Sequence, residues 1–216
     1  MDTKTQILDA AEALFAEQGF DATSLRAVTA CAGVNLAAVN YHFGSKDGLL
    51  QAVCARRIGP VNDERMARLD EAESQATDRV VPLDRLLEIF LLPALRLGHE
   101  SQGTSFLRVM GRLHGEMDRD HVRGLIEAQF ATVKHRFVEA FRRTLPELPD
   151  NVLIVRIHFL IGSMAHTMMC PSEIVWMSGN KMSEPRPEEL VTRLVAYAAA
   201  GLRAPVETFE TVESTR

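Results

Sequence analysis

Three times within the first fifty residues, an apolar stripe of helical period stops at a glycine and restarts at a side chain able to cap a helix. From Thr5 to Glu17, Ile7, Leu8, Ala11, Leu14 and Phe15 share one helical face. Gly19 ends that run, and Phe20 is placed to pack back on the helix it leaves. Thr23-Ser24 offers the cap of a second short helix that begins at Leu25 and ends at Gly33. Asn35 caps a third, Leu36 to Phe43, and Gly44-Ser45 repeats the stop and cap before a longer helix entered at Lys46. Short helices separated by such tight punctuation can bury their stripes only by packing on one another.

The rest of the chain continues in the same period. Pro60 is expected to kink or restart the fourth helix, which the polar stretch from Asn62 to Thr77 carries toward Pro82. Leu83 to His99 follows, with Leu86, Leu87, Phe90 and Leu91 on one face and Pro93 expected to bend it. Further helices are expected at about Thr104–Gly115, Asp118–Leu145, Asp150–Met169 and Pro187–Leu202, with Ser178 to Pro187 the clearest loop and a frayed tail after Ala204. No alternation of period two is sustained, so the fold class is all-α. The organisation expected is an N-terminal helix-turn-helix domain over residues 1–57, its motif at about 24–43, and a helical domain over residues 58–216.

Two short helices joined by a Gly-Val turn and flanked by two others suit entry of the second short helix into a DNA major groove. Leu36, Ala37 and Ala38 give that helix a low leading edge. Asn40, Tyr41 and His42 supply donors and acceptors one turn later, and asparagine can pair bidentately with adenine. Ser24, Arg26, Thr29, Asn35 and Lys46 stand where phosphates would pass, and the capped helix start at Ser45 adds backbone N–H groups. Composition runs against a coat of positive charge. Acids outnumber bases 29 to 24, and residues 1–57 hold five bases against six acids. Non-specific DNA affinity is therefore expected to be modest and lost with salt, leaving specificity to a few placed contacts.

The segment ILDAAEALFAEQGFDATSLRAVTACAGVNLAAVNYHFGSKDGLL strongly resembles the DNA-binding domain of TetR-family transcriptional regulators, with FAEQGF, TSLR, AGV and YHFGSK in register. Family members commonly carry an aromatic residue where this chain has Asn40, so the phosphate contact falls to Tyr41 and Asn40 is left to base or phosphate. NLAAVNYHFGSKDGLLQAV, the IGP step at Ile58–Pro60, RIHFLIGSMAHTM and AAAGLRA are similar to a fatty-acid-responsive repressor of lipid metabolism within the family. The resemblance implies a cytoplasmic homodimer joined through the last two long helices. It implies a palindromic double-stranded operator with half-sites about 34–36 Å apart. It also implies a hydrophobic small-molecule effector, a fatty acid or acyl-CoA, held among the middle helices and releasing DNA.

Candidate effector contacts are Phe90, Phe106, Met110, Phe130, His158, His166 and Trp176, each equally readable as core or surface packing. Arg108, Arg112 and Arg156 are expected to form exposed salt bridges, with a carboxylate ligand the alternative. His114, Glu116, Asp118, Asp120 and His121 lack metal-site spacing and read as a solvated connection, so no metal or cofactor is expected. Gly162-Ser163 does not form a nucleophile elbow, and no phosphate-binding glycine loop occurs, so the chain is not expected to be an enzyme. No secretion signal is visible, and Ile154 to Met169, the longest apolar run, is broken by Arg156, His158 and His166, so no membrane span is expected. Cys31, Cys54 and Cys170 are too few and too far apart for a disulfide framework. Two rivals stand beside the lipid-responsive regulator: a TetR-type sensor of another hydrophobic compound controlling efflux, and a helical small-molecule-binding protein without DNA activity.

Overall fold

A computed structural model describes residues 2–100, 103–114 and 120–206. These residues form ten α-helices: α1 (Thr3–Gln18), α2 (Leu25–Ala32), α3 (Leu36–Phe43), α4 (Lys46–Gln75), α5 (Leu83–His99), α6 (Gly103–His114), α7 (Asp120–Thr144), α8 (Asp150–Met169), α9 (Glu173–Met177) and α10 (Pro187–Arg203). A 3₁₀ turn at Thr77–Arg79 joins α4 to α5, and no strand occurs among the described residues. The punctuation acts as the sequence implies. Ser24, Asn35 and Ser45 each accept a backbone N–H three residues on, at 3.1, 2.9 and 3.0 Å. Gly33 takes the left-handed conformation at φ 67° that ends α2. Gly48 is required for a different reason: a Cβ there would lie 2.1 Å from the Phe43 carbonyl oxygen, so the α3–α4 junction closes only on glycine.

Two apolar clusters organise the molecule. One gathers α1 to the first turns of α4 around Ile7, Phe15, Val28, Val39, Leu49 and Val53, and takes Leu97, Phe106, Val109 and Leu113 from α5 and α6. The other joins α4, α5, α7, α8 and α10 around Leu69, Leu87, Leu91, Phe137, Phe141 and Leu160. Three departures from the sequence expectations have clear causes. Pro60 lies inside α4, which runs unbroken through the expected 57/58 boundary and so physically joins the two clusters. In α5 burial is not confined to one face: Ile89 to Leu95 are all buried, because other helices surround it. The short helix α9 escapes detection since five residues are too few for a periodic stripe.

Arginines secure two of the helix ends. Arg112 of α6 donates to the carbonyls of Ala16 and Glu17 at 3.2 and 2.9 Å, closing the C-terminus of α1 together with the Thr23 hydroxyl, which donates to Gly19 at 2.8 Å. Arg156 of α8 donates to the carbonyls of Leu202, Ala204 and Pro205 at 2.8 to 3.0 Å, closing α10. The expectation of exposed salt bridges is corrected for both residues: unpaired helix-end carbonyls, not carboxylates, take their donors. By length and composition α8 is apolar enough to cross a membrane, with mean hydropathy 1.5, although it packs within a helical bundle. The segment from Gly115 to Arg119, which holds Glu116 and Asp118 of the solvated connection, lies outside the described residues, as do the side chains of His114, Asp120 and His121.

Candidate nucleic-acid interface

Helix α3 is held from behind by one residue. Val39 is fully buried, Ala38 and Phe43 pack partly against the same cluster, and the opposite side of the helix is open. Asn35, Leu36, Ala37, Asn40, Tyr41 and His42 are all exposed, Tyr41 to 86%. Positions 36, 37, 40 and 41 repeat at helical spacing, so they form a single surface one and a half turns long. The Tyr41 and His42 rings meet edge to face at 5.1 Å, leaving the tyrosine hydroxyl at the outer rim. Its small leading residues and polar second turn suit a groove wall.

The supporting residues divide. Ser24 and Arg26 are exposed at the start of α2, where a passing backbone phosphate would lie. Thr29 is turned inward, and its hydroxyl donates to the Arg26 carbonyl at 2.9 Å, so the structure does not place it with the exposed set. Lys46 is half-buried: its ammonium donates to the Asp21 carbonyl at 3.1 Å and sits 4.4 Å from the Phe20 ring centre. Arg56 and Arg57 are withdrawn altogether. Both bind Glu12, which is only 3% exposed, and Arg56 also meets Asp9 at 2.6 Å. Two of the five bases counted in residues 1–57 are thus committed inside the protein, which thins the phosphate-facing charge further.

The seven candidate effector contacts do not meet at one place. Phe90 lies in the bundle core, its ring tilted 58° against that of Phe137 at 5.1 Å between ring centres. Phe106, Met110 and Phe130 belong to the other cluster, between α6, α7 and the head. His158 and Trp176 are exposed, and the His166 Nε2 lies 2.9 Å from a Glu173 carboxylate oxygen. The donor atoms of His166, Cys170 and Glu173 lie within 4.8 Å of one another across the α8–α9 junction, a trio that could hold a metal ion. It escaped the sequence reading because its members straddle a helix end. Burial pushes the Cys54 thiol up to about 12, with Glu12 adding to the effect, whereas Cys31 is exposed.

Sequence reasoning missed Glu12 and Arg65, and it named Arg112 only for an exposed salt bridge or a carboxylate ligand. Glu12 falls within the stripe of α1 and is a signal available in hindsight: an acid on an apolar face needs a cation brought to it. Arg65 carries no such sign, because it lies in the polar stretch from Asn62 to Thr77, whereas Arg112 stands among the apolar Val109, Met110 and Leu113.

Comparison with known proteins now applies. Residues 7–53 match the model for bacterial regulatory proteins of the tetR family, and residues 88–201 match the tetracyclin repressor-like C-terminal domain. The chain is similar to the HTH-type transcriptional regulator SrpR of Pseudomonas putida, 27% identical over 70% of this chain and 66% of that protein. It is also similar to the HTH-type transcriptional dual regulator CecR of Shigella flexneri, 42% identical over 32% of this chain and 31% of that protein. The chain thus spans about a third of CecR and just under two thirds of SrpR in these matches. The fold is shared with the fatty acid degradation regulator FadR of Bacillus halodurans, at TM-score 0.67, 17% identity and coverage of 95% and 98% of the two chains.

Proposed function

The chain belongs to the tetR family of bacterial regulatory proteins, and on that premise we propose that it is a homodimeric, sequence-specific DNA-binding repressor released by a hydrophobic effector. The observation that carries this reading is the α3 surface of Asn35, Leu36, Ala37, Asn40, Tyr41 and His42, exposed over a single buried Val39. Ser24 and Arg26 flank it as phosphate contacts, and Tyr41 serves as the outer phosphate donor. One such surface makes few contacts, so useful affinity requires two of them at fixed spacing on a palindromic operator.

Helices α8 and α10 provide the dimer surface. Val155, Phe159 and Ile161 of α8 and Tyr197 of α10 stand in solvent, Phe159 to 64% and Tyr197 to 69%, and Ala200 and Gly201 leave room for close helix approach. A contiguous apolar face of this kind is unusual on a monomer. The effector lies between the two clusters or within the bundle, and it acts through α4, which passes from the bundle into the head, and through Arg112, which ties α6 to the end of α1. The fatty acid or acyl-CoA class is supported by the resemblance of NLAAVNYHFGSKDGLLQAV and RIHFLIGSMAHTM to the fatty-acid-responsive repressor PsrA.

A salt-titrated gel shift on the DNA upstream of the chain's own gene tests the reading. A sequence-specific shift at low salt, abolished by deleting either half-site, is the expected outcome. Its absence would remove the regulator reading and leave a small-molecule-binding protein. Release of that complex by oleate or palmitoyl-CoA supports the lipid class, and release by unrelated aromatic compounds alone would replace it with a sensor of another hydrophobic compound.

A further inference from the structure

Three charged side chains are buried among the described residues: Glu12, Glu73 and Arg65. Glu12 is met by Arg56 and Arg57, and Glu73 by Arg79, Arg136 and Arg143. Arg65, 2% exposed, has no carboxylate partner among the described residues. It lies on α4 within the bundle. Its Nε donates to the Phe90 carbonyl of α5 at 2.8 Å. Its two terminal nitrogens reach only Asn62 Oδ1 and the Met164 sulfur of α8, both at 3.4 Å, and a thioether is a weak acceptor. Asn62 in turn donates to the Gln129 carbonyl of α7, so four helices enclose the group. The guanidinium carbon sits 4.4 Å from the Phe90 ring centre. Burial lowers the group to about 10, which still leaves it charged at neutral pH.

A charge held in an apolar interior calls for a counter-ion, and the terminal nitrogens of arginine form a planar fork that matches the two oxygens of a carboxylate. We propose that Arg65 anchors the carboxylate of an amphipathic monoacid whose apolar body lies among Phe90, Phe137 and Met164. This rests on the reading of the bundle as the effector-binding part, and it narrows the effector to the free acid. One cation matches one negative charge, because the nearby Arg136 and Arg143 are already held by Glu73. An acyl thioester offers Arg65 no anion at the head of its chain. Arg65 stands 19 residues beyond Lys46 on the same helix, roughly 28 Å along its axis, so an acid drawn to it acts directly on the helix that enters the head.

The test uses the full chain, with octanoate, dodecanoate, hexadecanoate and 4-phenylbutanoate against the corresponding alcohols, read by calorimetry and by thermal shift. At least one acid is expected to bind tenfold or more tightly than its alcohol and to raise Tm. R65M is expected to bind that acid and its alcohol alike without a lower Tm in the absence of ligand, and R65K to keep part of the preference. Where R65M fails to fold, R65Q supplies the same comparison. Equal binding of acids and alcohols by the unmodified chain, no binding of any acid, or an acid preference that survives in R65M or R65Q would each overturn the proposal. Operator binding measured on the same samples separates the two readings: intact DNA binding without acid preference breaks only this one, and acid preference without DNA binding breaks only the regulator.

Discussion

Glu12 and Arg65 are buried to nearly the same degree, yet Glu12 is saturated with cations and Arg65 has no opposite charge among the described residues. Glu12 sits in the head, where Arg56 and Arg57 bring the start of α4 against α1. Arg65 sits ten to twenty ångströms of helix further along the same α4, among carbonyl, amide, sulfur and ring. A closed network of buried charges makes a rigid unit, because losing either side strands the other. A buried charge without its counterpart leaves the surrounding packing sensitive to whatever supplies one. The buried charge of the head is thus paired, whereas the bundle holds both a paired one, Glu73, and Arg65, which has no carboxylate partner among the described residues.

Removing the two charges is the sharpest way to break this comparison. E12A leaves two arginines facing an apolar interface and is expected to cost about 3–5 kcal/mol in urea denaturation. R65M removes an uncompensated charge and is expected to be neutral or to stabilise by about 1–4 kcal/mol. Equal losses in both variants would mean that Arg65 is as structural as Glu12. Next in size, alkaline titration should bend the two regions in opposite directions. The Cys54 thiol is raised from 9.0 to about 12 in the fold, so its contribution to stability is present below pH 9 and lost as pH climbs toward 12. Arg65 is lowered from 12.5 to about 10, so the penalty of its charge is relieved as pH rises through that value. C54A should flatten the fall by up to about 2–3 kcal/mol, and R65M should steepen it, in denaturation followed from pH 8 to 11.

G48A tests whether the head tolerates change at its junctions. The added methyl meets the Phe43 carbonyl at 2.1 Å, and a loss of about 1–3 kcal/mol is expected, with DNA affinity falling as α3 tilts. Smallest in stability is Y41F, within about 0.5 kcal/mol of the parent because the ring is exposed. Its expected effect is a several-fold weaker operator complex, and an unchanged gel shift would remove Tyr41 from the phosphate contacts.

Local structure was legible to a high degree. The bounds of α3, α5 and α8 follow from Asn35, Pro82 and Pro149 before them and from Gly44, Glu100 and Cys170 after them. In α3 the structure buries Val39 and leaves Leu36, Ala37, Asn40, Tyr41 and His42 exposed. Thr29 was misplaced because a threonine in a short helix can serve phosphate or satisfy its own backbone, and period alone does not choose. The scatter of the effector candidates has a similar origin. Phe90 and Phe106 look equivalent in sequence, but Phe90 of α5 packs in the bundle cluster and Phe106 of α6 in the head cluster.

By itself, then, the sequence determined where each helix starts, stops and turns its apolar face, because caps, glycines and a 3.6-residue period act within a few residues. Only the tertiary structure decided which charges are spent and which are left. Glu12 with Arg56, Arg112 with the end of α1, and Arg156 with the end of α10 are pairings across 44, 95 and 46 residues or more. Which donors find acceptors at that range depends on how whole helices cross, and no local pattern records it. The same packing enclosed Arg65 among a carbonyl, an amide oxygen and a thioether, with no carboxylate partner among the described residues.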